Sequence, residues 1–117
     1  MPSQGEIVLV PIPFTDLTSA RRRPVVVISN DDYNRSTDDM IVVAMTSNLT
    51  ATPHSFVLTS LDLAEGMLNH PGRVRADKIY TLAQRIAVVK FGKVNDATLD
   101  RIRQLLAELC EPTSGIP

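Results

Sequence analysis

The chain has 117 residues, of which 44% are hydrophobic and 21% charged, with a formal charge of −1. This is the length and balance of one globular domain, and it excludes a chain that is disordered throughout. A single cysteine, Cys110, excludes an internal disulfide, and two isolated histidines, His54 and His70, offer no zinc-ligand spacing.

The first apolar run, residues 7–14, is broken by Pro11 and Pro13 and falls far short of the ~20 residues a membrane helix needs. Glu6 precedes it and no basic segment does, so it does not read as a secretory signal. The expectation is a cytoplasmic protein. Charge is unevenly spread. Residues 41–95 hold six cationic and three anionic side chains, whereas 1–40 and 96–117 each carry a net −2. A local patch for an anionic ligand is therefore expected on a near-neutral protein.

In chain order, residues 7–14 predict a first strand whose prolines set its second half at an edge or bend. Residues 15–23 are polar and basic, a loop. Residues 24–29 are a continuous β-branched run, too short for a helix, and 41–46 repeat that character. Between them, residues 30–34 predict a turn or one helical turn. Further strands are expected at 55–59, 73–79 and 86–94, and a short helix at 61–68, broken by Gly66. Asn95 is a good N-cap for a closing helix with Leu99, Ile102, Leu105, Leu106 and Leu109 on one stripe. Residues 1–4 and 112–117 are expected to fray. The pattern predicts one domain over 1–117, α+β but mainly β: a small barrel-like sheet closed by an amphipathic C-terminal helix.

Three segments carry candidate chemistry. In Arg73-Val74-Arg75-Ala76-Asp77, strand alternation sends the arginines and the aspartate to one face and Val74 and Ala76 to the core. Guanidinium groups neutralise phosphate oxygens, and a carboxylate can move a proton; the plainer alternative is a solvated face with an ion pair. In Arg21-Arg22-Arg23-Pro24, the proline holds Arg23 extended and so aims it; the alternative is a basic loop. Thr46-Ser47-Asn48 ends a strand with hydroxyls and an amide suited to phosphate oxygens; the alternative is an ordinary turn. The five aromatics are scattered, which disfavours a broad base-stacking platform, and there is no glycine-rich phosphate loop.

Taken in order, these segments resemble the MazF/PemK family of toxin endoribonucleases. The residues that carry the likeness are Gly5-Glu6-Ile7-Val8 and Arg22-Arg23-Pro24-Val25-Val26-Val27-Ile28-Ser29, followed by Ile41-Val42-Val43-Ala44-Met45-Thr46-Ser47. Arg73-Val74-Arg75-Ala76-Asp77-Lys78-Ile79-Tyr80-Thr81-Leu82 and Lys90-Phe91-Gly92-Lys93-Val94 complete it. The resemblance implies an SH3-like β-barrel with short helices, acting as a homodimer. It implies cleavage of single-stranded RNA at short sequences, with neither metal nor other cofactor, and neutralisation by a cognate antitoxin. It assigns catalysis to Arg23, Thr46, Arg75 and Asp77. Arg21, Arg22, Ser47, Asn48, Arg73 and Lys78 are expected to contact RNA. The chain departs from some relatives in having no histidine in the 15–23 loop, and from many in having Lys78 where they carry glutamine. Two rival readings are a toxin of the same barrel type that binds a protein such as gyrase, and a non-catalytic SH3-like interaction module.

Overall fold

A computed structural model describes residues 1–11 and 22–113. Seven strands form one curled antiparallel sheet: β1 (Glu6–Val10), β2 (Arg23–Val27), β3 (Asp39–Thr46), β4 (Ser55–Leu58), β5 (Leu63–Gly66), β6 (Gly72–Ala83) and β7 (Val89–Val94). Their spatial order is β4-β6-β3-β2-β1-β7-β5. Helix α1 (Asp31–Ser36) joins β2 to β3, and α2 (Asp96–Leu109) closes the chain. The expected mainly-β sheet with a C-terminal helix is what the structure shows.

The continuous valine run in β2 follows from burial on both sides. Val26 packs with Ile7, Val43, Val74 and Ile102 on one face, while Val25 and Val27 pack with Val8, Val10, Met40 and Val42 on the other. All three β2 valines are fully buried, so there is no polar alternation to read. Helix α2 covers the first face. Asn95 caps it by accepting from the Thr98 amide at 2.9 Å, Ile102 is its fully buried anchor, and the Arg101 guanidinium stacks 4.3 Å above the Phe56 ring.

Two connections differ from expectation. Residues 61–68 are not a helix. A single 3-10 turn at Ser60–Asp62, capped by Thr59, leads into β5, which pairs with β7. Gly66 explains the choice: it has φ +85°, and a Cβ there would lie 2.5 Å from the Phe91 carbonyl oxygen. The chain passes too close to β7, in too strained a backbone, for a helix of ordinary residues. Second, β7 begins at Val89 because Gln84–Ile86 form another 3-10 turn. At the start of the chain, hydrogen bonds reach the β2–α1 segment. The Gln4 amide donates to Asp31 Oδ1 and its side-chain nitrogen to the Ile28 carbonyl, both at 2.9 Å. Buried Asn34 donates to the Pro2 carbonyl at 3.1 Å. Among the described residues, no helix is long and apolar enough to cross a membrane.

Candidate active site

The site is assembled by register. Thr46, the last residue of β3, pairs with Arg73 of β6, and Ala44 pairs with Arg75. Cross-strand partners project from the same face, so Thr46, Arg73 and Arg75 share one. On β2, Val25 pairs with Ala44; continued two residues, that register sets Arg23 against Thr46. Arg23 is half-buried at the start of β2, opposite Val10 of β1, with its Nε shielded from solvent. The 48–54 loop returns over this face and leaves a cavity of about 130 Å3 lined by Thr46, Asn48, Thr50, Thr52, Arg73 and Arg75.

Arg73 builds the loop that walls the cavity. It is only 7% exposed. Its Nε and one Nη donate to the Leu49 carbonyl at 3.3 and 3.1 Å, and its other Nη donates to Ser55 Oγ at 2.9 Å. Ser55 spends its own proton on the Thr52 carbonyl (2.6 Å), so Thr52 is the donor in the 2.8 Å hydroxyl pair between them. The result is a loop floor fixed by a buried cation.

Arg75 and Asp77 face each other in a two-point ion pair. Nε donates to Oδ1 at 2.8 Å and an Nη to Oδ2 at 2.7 Å. That hydrogen-bonded contact holds the Asp77 carboxyl below its ordinary range, against a smaller opposing effect of burial, and raises Arg75. The pair fills two of the five guanidinium hydrogens, leaving three for another anion. The geometry arises at a register jump: Val43 pairs with Ile79 while its neighbour Ala44 pairs with Arg75. Ala76, Asp77 and Lys78 bulge from the β3 ladder, and the Ala76 amide donates instead to the His54 carbonyl at 3.0 Å.

At Thr46, the Asn48 amide donates to Oγ1 at 3.1 Å, which leaves the hydroxyl hydrogen to be given elsewhere. Asn48 is exposed and its side-chain oxygen accepts from the Thr50 amide at 3.0 Å. Ser47 is exposed and lines a second cavity at the end of β3. Arg22 is exposed just before β2; Lys78 sits half-buried in the bulge and adds to the downward pull on Asp77. Arg21 lies outside the described residues, as does most of the 15–23 loop. Thr50 and Thr52 are wall residues that the sequence reading passed over; the signal was their place in a threonine-rich loop opening on Thr46. Among the described residues, no three of His, Cys, Asp and Glu gather as metal ligands.

The sequence matches the family of PemK-like, MazF-like toxins of type II toxin–antitoxin systems over residues 3–110. The chain belongs to this family. A search of curated proteins finds no relative. Solved structures of similar fold include a mycobacterial endoribonuclease in complex with its cognate antitoxin. It is 26% identical, with TM-score 0.72, over 96% of this chain and 98% of that one. They also include a MazE–MazF complex from Deinococcus radiodurans, 26% identical with TM-score 0.75, over 92% of this chain and 94% of that one. Mycobacterium tuberculosis toxin MazF-mt6, at 13% identity and TM-score 0.70, covers 88% of this chain and 93% of that one, and shares the fold.

Proposed function

We propose that this chain is the toxin of a type II pair and cleaves single-stranded RNA at short sequences in the cytoplasm, using the substrate's own 2′-hydroxyl. Family membership supports the toxin role, and the endoribonuclease named among its structural neighbours supports the reaction. The observation that carries the reading is that the hydroxyl at the end of β3 and two guanidinium groups of the neighbouring strand β6 wall one small cavity.

In this reading Thr46 donates to a nonbridging oxygen of the scissile phosphate, and the three remaining Arg75 hydrogens take its charge. Arg23, against Thr46 in the β2–β3 register, adds positive charge from the other side. Asp77 is ionised at neutral pH like any carboxylate of its range, Arg75 orients it, and it accepts the 2′-hydroxyl proton. The 2′-oxygen bonds to phosphorus, the bond to the 5′-oxygen breaks, and that oxygen takes a proton from solvent water as it leaves, while Asp77 returns its own proton to solvent. The products are a 2′,3′-cyclic phosphate and a 5′-hydroxyl. Arg73 supports the wall through Leu49 and Ser55. The likeness also implies a homodimer and a cognate antitoxin. The half of β6 beyond residue 75 lies outside its ladder with β4, and Ile79 is 44% exposed there, which suits a second copy.

The test is a defined RNA incubated with pure protein in EDTA, beside the same strand with one deoxynucleotide at the cut. The all-RNA strand is cut and the deoxy strand resists, because it lacks the nucleophile. Thr46→Ala lowers single-turnover cleavage about 100- to 1,000-fold with an unchanged melting temperature, the loss typical of one transition-state donor. Equal cutting of both strands overturns the mechanism. Gyrase inhibition without RNA cleavage supports the rival toxin.

A further inference from the structure

The reaction described above uses the cavity on the Thr46 side of β3 and leaves the one on the other side without an occupant. This second cavity, about 190 Å3, is lined by Pro24, Met45, Leu68, His70 and Phe91, and Thr46 lines it too. Alternation along β3 places Thr46 and Met45 on opposite faces. Met45 belongs to the apolar cluster on the α2 side of the sheet, and Phe91 and Leu68 pack against the same cluster. The end of β3 therefore separates a polar cavity holding two arginines from an apolar one holding an aromatic ring and an imidazole.

A nucleotide has this same division. A charged phosphate is joined through one sugar to a flat ring with apolar faces and polar edges. If the scissile phosphate occupies the polar cavity, the attached base lies beside the apolar one, because Thr46 lines both. At about 190 Å3 the apolar cavity is the roomier of the two. The geometry points to this cavity as the base-reading pocket for a nucleotide flanking the cut. Phe91 and Leu68 pack the ring faces, and His70, which is exposed on the 67–71 connection, contacts its edge. Single-stranded RNA is read by this combination of aromatic stacking and edge hydrogen bonds. This assignment rests on the endoribonuclease reading and adds to it residues outside the polar cavity.

The experiment maps cleavage ends in a random-sequence RNA pool, in EDTA, for the wild type, His70→Ala and Phe91→Leu. Because His70 is exposed, His70→Ala keeps the fold even where Phe91→Leu does not. Base preference relaxes about tenfold in relative kcat/KM at one position beside the cut and is unchanged elsewhere. Stacking contributes on this scale. An RNA abasic at that position is cut about tenfold more slowly by the wild type, and His70→Ala removes most of that difference. Wild-type base preference at every position in His70→Ala overturns the assignment, as does equal cutting of the abasic strand. Weakened antitoxin binding with unchanged preference assigns the cavity to the antitoxin and likewise overturns it. A wild type that cuts no RNA overturns the endoribonuclease reading itself.

Discussion

Arg75 and Asp77 stand two residues apart on one strand, with side chains 24% and 30% exposed. Their mutual attraction is partly screened by water, so the pair adds less than about 1 kcal/mol to folding. Its pH dependence has a definite sign. Asp77 is held below its ordinary value in the folded chain, so the folded state binds that proton less readily than the unfolded one. The pair's contribution is complete above the ordinary carboxylate range, near pH 4, and is lost as pH falls through the lower folded value. Urea midpoints of the wild type and Asp77→Asn should therefore differ at pH 7 and converge only in acid. A difference that stays constant into acid shows that the charge of Asp77 contributes nothing. That Arg73, Arg75 and Asp77 share a face was legible from their spacing. That Arg73 is a buried brace was not, because its acceptors, Leu49 and Ser55, lie 24 and 18 residues away. Alternation says which way a side chain points, not what a returning loop lays over it.

Among the elements, β5 is the least readable and the most constrained. Residues 61–68 suggest a short helix, yet Leu61 is 91% exposed and residues 63–66 are held as an edge strand by β7. Gly66 should tolerate no side chain: with φ +85° and the Phe91 carbonyl 2.5 Å from a Cβ, Gly66→Ala must displace backbone. We expect a loss of about 1–3 kcal/mol, read as a lower urea midpoint. An unchanged midpoint would mean that β5 can leave β7 without cost. The closing helix, by contrast, was readable to its first residue, since its cap and its stripe are local features. Strand β6 falls between these cases. Its core was plain from Val74 and Ala76, but its length was not, because the bulge at residues 76–78 interrupts the alternation and pairing resumes beyond it.

At the scale of the whole molecule, Arg23, Arg73 and Arg75 come together where β2, β3 and β6 meet, on a chain whose net charge is −1. An acidic antitoxin segment and an RNA strand should therefore compete for Arg23 and Arg75. Titrating antitoxin against a fluorescent RNA blocked by a deoxynucleotide at the cut should show mutual displacement, with apparent antitoxin affinity falling as RNA rises. Higher salt should weaken RNA binding. Simultaneous binding without mutual weakening would place the two on separate surfaces. Both rival readings lose ground to the convergence of Thr46, Arg73 and Arg75 on one cavity, which neither requires.

The parting of two environments by the last residues of β3 also bears on how such a chain diversifies. Substitutions in the 67–71 connection fall on one side of a fully formed strand, and Arg73 and Arg75 line the cavity on the other, with Thr46 between them. Descendants are free to acquire a new vocabulary of target words while inheriting the blade unchanged.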